Sequence, residues 1–190
     1  MTLLRAAVVT GRVGGLGPVQ AGAALAAGLA PHARVAVVPL APGGPDLAAA
    51  VAALWGVDAE FAPPSAGTGP GHPEPDRWLV RSAGRVLLGL AQPPVPGWAP
   101  QATTADLGRW VLHSVRPDDD QVVLDLTGVT AHDGGAGLLE VAGDVLADRD
   151  LLGLVDAGEL ALPATGIGGG LARRAFAARL DVADLLAADA

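Results

Sequence analysis

Leu3-Leu4-Arg5-Ala6-Ala7-Val8-Val9 and Arg34-Val35-Ala36-Val37-Val38-Pro39-Leu40 decide the fold class of this 190-residue chain. Each stretch is short and almost unbroken in apolarity, the pattern of parallel strands covered on both faces. Between them Pro18 suits the first turn of a helix. Val19, Gly22, Ala23, Ala26, Leu29 and Ala30 then recur at helical spacing, with small side chains that let a helix approach a sheet closely. After the second stretch comes the turn Ala41-Pro42-Gly43-Gly44-Pro45. Asp46 stands as a helix cap, and Leu47, Val51 and Leu54 follow at i, i+4 and i+7. The order β-α-β-α implies right-handed crossovers and an α/β fold, a parallel sheet flanked by helices.

Residues 62–76 are so dense in Pro and Gly that neither helix nor sheet interior can form, and they are expected to be a surface linker. They divide the chain into two small lobes, an N-terminal βαβα lobe at 1–61 and a C-terminal α/β lobe at 77–190. In the second lobe, Arg77-Trp78-Leu79-Val80 and Arg85-Val86-Leu87-Leu88-Gly89-Leu90 read as strands joined by the turn Ser82-Ala83-Gly84. A Pro-rich stretch, 93–100, intervenes. Thr103-x-x-Asp106 resembles a capping box for a helix near 104–115 with the stripe Leu107, Trp110, Val111 and Ser114. Residues 121–126 form the next strand, expected to be buried and parallel like 3–9 and 34–39. Leu138, Val141, Ala142 and Val145 share one face of the following helix. The tail reads as a weaker strand from Glu159 to Leu162, a Gly-rich turn, and helix from about 170.

Composition narrows the partners. There are 12 Lys+Arg against 20 Asp+Glu, a formal charge of −8, and all the basic residues are Arg. An acidic chain is a poor ligand for a nucleic acid or an anionic membrane. The absence of Lys excludes a Walker lysine and a Schiff-base lysine, and the absence of Cys excludes a thiolate nucleophile and a cysteine-ligated zinc. Hydrophobic residues make up 51%, yet the longest apolar run, Ala21 to Ala30, is short of the ~20 residues that a membrane span needs. The run 6–9 between Arg5 and Arg12 is too brief for a secretory signal, so a cytoplasmic protein is expected.

Three Gly-rich turns stand at strand-to-helix junctions, Thr10 to Gly17, Thr127 to Gly137 and Thr165 to Gly170, where free N–H groups and a helix dipole can hold an anion. Tight turns also need glycine for geometry alone. None matches a phosphate-loop or dinucleotide fingerprint. Asp133 opens a helix, and its carboxylate either caps that helix or faces a ligand. His132 beside it is a base near neutral pH or a solvated loop residue. His32, His72 and His113 have no metal-ligand spacing. No nucleophile elbow surrounds Ser65, Ser82 or Ser114. Asp118-Asp119-Asp120 reads as a solvated acidic turn rather than a magnesium site, so no metal ligands are expected. The starts of two helices, with the amides of Gly134 and Gly135 and the hydroxyls of Thr103 and Thr104, make the one corner of positive potential in the chain and the place where a small anion would sit.

Together these junctions resemble the class I glycerate kinase family, whose members are two-domain α/β proteins that transfer the ATP γ-phosphate to D-glycerate. Residues 126–137, Leu-Thr-Gly-Val-Thr-Ala-His-Asp-Gly-Gly-Ala-Gly, are similar to the family's G-G-S-A-T-N-D-G-G-A-G. Thr103-Thr104 with Gly108 resembles T-T-x-G-x-G. Gly14-Gly15-Leu16 running into Ala24-Leu25-Ala26-Ala27-Gly28-Leu29 resembles K-G-S-L followed by A-I-A-E-G-L. Residues 38–44, Val-Pro-Leu-Ala-Pro-Gly-Gly, resemble V-P-L-A-D-G-G. Order and spacing agree over about 3–140, and members of the family are considerably longer. The resemblance implies Asp133 as the catalytic residue, Gly14, Gly15, Thr103, Thr104, Gly134 and Gly135 as substrate or phosphate ligands, and glycerate or ATP as the anion, with Mg where the protein is active.

The departures from the family pattern fall on its polar residues. The Lys position is Val13, the Asp and Glu of D-G-G-E are Pro42 and Pro45, the Asn before D-G-G is His132, and Asp106 replaces the first Gly of the Thr loop. Arg12 neighbours Val13, but adjacent residues of an extended segment point oppositely. Phosphoryl transfer depends on positioning and on stabilising spread negative charge, so these losses remove what the reaction needs. Two functions follow, a shortened kinase acting on glycerate or a related hydroxy acid, and a non-catalytic relative kept for binding or interaction. A homodimer is one way of restoring the missing surface.

Overall fold

β1 (Leu4–Thr10) and β2 (Ala33–Pro39) pair in parallel, in register from Leu4 opposite Ala33 to Thr10 opposite Pro39. The structure, a computed structural model, describes residues 4–62, 76–91, 103–127, 129, 131, 133–163 and 183. The crossover between the two strands is α1 (Pro18–Leu29), which buries Pro18, Ala21 and Gly22. A Cβ on Gly22 would collide with the Val37 side chain, so the small residue sets how closely helix and sheet approach. Ala23, Leu29 and Ala30, expected on the same face, are exposed.

The parallel pairing is as expected, but burial on both faces is not. Arg5, Ala7, Val9, Arg34 and Ala36 are exposed, because α1 covers one side of this two-stranded sheet and nothing among the described residues covers the other. α2 (Gly44–Trp55) follows. Its N-cap is Gly43 rather than Asp46, which lies in the first turn and pairs with Arg12 instead. Leu47 and Val51 pack inward, whereas Leu54 is exposed.

The second sheet has the order β3 (Ala59–Ala62), β4 (Asp76–Ser82), β5 (Arg85–Ala91), β6 (Gln121–Asp125), β7 (Asp150–Leu154). β3–β4 and β4–β5 are antiparallel; β5–β6 and β6–β7 are parallel. The β4–β5 turn is the anticipated one, with Ala83 at φ 48° and Gly84 at φ 74°. α3 (Ala105–Ser114) and α4 (Ala136–Leu146) cover one face, where Leu107, Val111, Leu138, Ala142 and Leu146 meet Leu79, Val86, Leu88, Leu90, Val122 and Leu124. α2 covers the other face, its Ala48 and Ala52 packing on Trp78, Val80 and Leu87. Adjacent residues of β4 and β5 thus face opposite cores, which is why both stretches read as continuously apolar.

Several expectations are corrected. The tail strand at 159–162 is instead a short helix, α5 (Ala157–Leu160), because the Asp156 carboxylate accepts a hydrogen bond from Gly158 N–H (2.6 Å) and its carbonyl one from Leu160 N–H (3.2 Å). β3 and β7 are unanticipated strands. The acidic turn is not wholly solvated: Asp119 is buried, ion-paired with Arg81, and accepts a hydrogen bond from Arg116 N–H (2.8 Å). Arg149 closes the same corner, donating to the carbonyls of Pro117 (3.1 Å) and Asp119 (2.6 Å). Among the described residues no helix is long and apolar enough to cross a membrane. The ends of the expected 62–76 linker, Ala62 and Asp76, belong to β3 and β4. Its residues 63–75, the Pro-rich 93–100, His132, Thr165 to Gly170 and the expected tail helix apart from Ala183, which is helical, lie outside the described residues.

Candidate functional site

The polar residues gather where the parallel strands end and their helices begin, the usual place for a ligand crevice in an α/β fold. β6 ends on Asp125, an acid in a run otherwise apolar since Val122. It is buried and accepts hydrogen bonds from Gly44 N–H (2.6 Å), Thr127 N–H (3.0 Å) and the Thr127 hydroxyl (2.5 Å). Gly44 begins α2, so the carboxylate stands at the positive end of that helix. A Cβ on the neighbouring Gly43 would overlap Thr127 Oγ1. Glycine there is what lets the β2–α2 turn seat against the end of β6.

Asp133 makes a second, larger clamp. Its Oδ2 accepts from Thr104 N–H (2.7 Å) and Gly137 N–H (3.0 Å), and its Oδ1 from Gly135 N–H (3.1 Å). The Thr104 hydroxyl also donates to the carboxylate (2.9 Å to Oδ2) and accepts from Leu138 N–H (2.9 Å). Thr104 is the N-cap of α3 and Gly135 the N-cap of α4, so one carboxylate satisfies donors of two helix starts. Gly134 (φ 59°) and Gly135 (φ 85°) are both left-handed, which explains the paired glycines after the acid. The helices also approach closely: a Cβ on Gly137 would lie 2.7 Å from Ala105 N, and one on Gly108 would lie 2.9 Å from Val141 Cβ. Burial pushes the Asp133 carboxyl up, but the hydrogen bonds from Thr104 N–H, Gly137 N–H, the Thr104 hydroxyl and Gly135 N–H outweigh it and hold the pKa below its ordinary value.

Of the residues anticipated for the site, Thr104, Asp133 and Gly135 are brought into direct contact, with Gly134 in the turn between them. Thr103 is exposed, and its hydroxyl accepts from Ala105 N–H (3.2 Å). The anticipated capping box does not form, since Asp106 pairs with Arg109 on the helix surface. Gly14 and Gly15 lie apart, exposed at the tip of the β1–α1 turn, where Val13 and Leu16 exchange backbone hydrogen bonds of 3.1 and 3.0 Å. That turn reaches the other junctions through Arg12, whose Nε and Nη2 donate to Asp46 at 2.9 and 2.7 Å. Arg12 to Asp46 on α2, and the start of α2 to Asp125 and Thr127, form a chain of contacts that links the β1–α1 turn to the end of β6. Sequence reasoning missed Asp125, Thr127 and the Arg12–Asp46 pair, although a carboxylate inside an apolar strand is itself a signal of a buried, satisfied charge.

No protein-family model matches this sequence, and no curated protein matches it. Among solved structures it is similar to the crystal structure of "putative glycerate kinase 2 from Salmonella typhimurium LT2", with a TM-score of 0.72 and 16% identity over 97% of this chain and 60% of that one. The fold is therefore glycerate kinase-like, and the chain spans about 60% of the length of that neighbour.

Proposed function

We propose that this chain is a glycerate kinase-like protein that does not transfer phosphate and serves as a binding or interaction protein. The observation that carries this reading is the Asp133 clamp. The N–H groups of Thr104, Gly135 and Gly137, which an entering phosphate would need, donate to the protein's own carboxylate. That carboxylate accepts bonds on both oxygens and has a depressed pKa, which makes it a poor base for a substrate hydroxyl. The residues present are also a poor match for ATP with Mg. The sequence has no Lys, Val13, Pro42 and Pro45 replace the family's polar residues, and among the described residues no three His, Cys, Asp or Glu are grouped to hold a cation.

The second reading, ATP-dependent phosphorylation of D-glycerate, is favoured by the likeness of fold and by the motif around Asp133. An ADP-release assay on the purified chain, with calorimetric titration of ATP-Mg and D-glycerate separately and together, decides between them. The expected result is no measurable turnover, and turnover of about 1–10³ per second, the usual enzyme range, would overturn the proposal.

A further inference from the structure

The outer face of β1–β2 carries Arg5 and Arg34 as register partners, then Ala7 beside Ala36, then Val9 beside Val38. Parallel pairs are ordinarily covered on both faces, yet here Val9 is 58% exposed and both arginines are exposed. Like charges directly opposed across a ladder are unfavourable, and neither arginine has an ion-pair partner among the described residues. Among the described residues the face lacks a layer, and its chemistry specifies that layer: something slim enough to approach the alanines, with apolar surface for the valines and two negative charges side by side for the arginines.

The exposed side of α4 has these properties. Leu139 is 59% exposed, Gly143 lets a partner approach, and Glu140 and Asp144, both exposed, follow each other at i, i+4 without ion-pair partners among the described residues. Carboxylates at that spacing stand about 5–6 Å apart at their Cβ atoms, and side chains on neighbouring strands about 4.7–4.9 Å apart. Each carboxylate can therefore face one arginine. We propose that the outer face of β1–β2 is an interaction surface for a second copy of this chain, which lays the Leu139–Glu140–Gly143–Asp144 side of its α4 across the Arg5–Arg34 pair. The contact is heterologous, since two different patches of the same chain meet, and it extends into a chain of copies unless the rotation between neighbours closes.

Analytical ultracentrifugation of the full chain tests this directly. In about 50 mM salt the protein is expected to associate as its concentration rises, with weakening at 500 mM because the facing charges are screened. R5E/R34E places acids on both patches and E140R/D144R places arginines on both, so each variant alone is expected to associate at least tenfold more weakly. An equimolar mixture of the two matches opposite charges at every contact and is expected to recover association. All four positions are exposed, and circular dichroism melts confirm that each variant is folded, with R5Q/R34Q as a milder version should a reversal variant fail to fold. A wild-type chain that stays monomeric throughout, undiminished association in a folded reversal variant, or a mixture that recovers nothing would each overturn the proposal, including the case in which another part of the same chain covers the face.

Discussion

At the scale of single residues, two acids do unlike work. Asp133 is held ionised by donors at both of its oxygens. Asparagine ordinarily caps a helix about as well as aspartate. Here its NH₂ group would point at an N–H donor whichever way the amide turned. Asp133→Asn is therefore expected to cost about 1–3 kcal/mol at pH 7, the worth of hydrogen bonds to a charged group, measured by urea unfolding. Because the folded-state pKa is lowered, the carboxylate's contribution is fully present above its unfolded value of about 3.9 and disappears as pH falls through the folded value. The gap between wild type and variant should accordingly narrow below about pH 4. Asp119 is the second case, nearly inaccessible at 1% and paired with Arg81 at 14%. Arg81 also donates to the Ser114 carbonyl at the end of α3 (2.5 Å). Asp119→Ala leaves that guanidinium largely buried without its counter-charge and should cost about 3–5 kcal/mol in the same measurement.

At the scale of elements, local pattern was legible wherever a helix or strand is specified by its own residues. The stripe of α3, the inward face of α4 and the Ala83-Gly84 hairpin needed nothing distant to be read. β3 and β7 escaped because strand identity there comes from pairing with β4 and β6, remote in sequence. Asp46 escaped as an ion-pair partner because the claim of Arg12 on it cannot be seen from the helix alone. The site was half legible for the same reason. Gly-Gly after Asp133 marks a left-handed turn, but only the meeting of α3 and α4 shows that the donors are already taken. The hairpin gives a prediction of its own. Ala83 holds φ 48° with a Cβ that disfavours it, and Asn before Gly is the preferred pair for such a turn. Ala83→Asn should stabilise the protein by about 0.5–1 kcal/mol, seen as a raised thermal midpoint.

At the scale of the whole molecule, stability should be unevenly distributed between the two sheets. β4, β5 and β6 are packed on both faces, by α2 on one side and by α3 with α4 on the other, and their central residues Val80, Val86, Leu88 and Val122 are inaccessible. Among the described residues β1 and β2 form a sheet of two strands with α1 on one face only. A two-stranded unit is marginal without packing against other elements, and what α1 buries against it is mainly small, Pro18, Ala21 and Gly22. Opening of this unit should therefore cost less free energy than global unfolding, the condition under which native-state hydrogen exchange separates one cooperative unit from another. In dilute protein the ladder amides of β1–β2 are expected to exchange at least tenfold faster than those of β5–β6. Uniform protection across both sheets would mean that the two-stranded unit opens only with the rest. Protection confined to β1–β2 that rises with protein concentration would have a different cause, since a partner that binds only the closed form stabilises it by mass action, and that is how occupation of the Arg5–Arg34 face by another copy would register in the exchange of the strands beneath it.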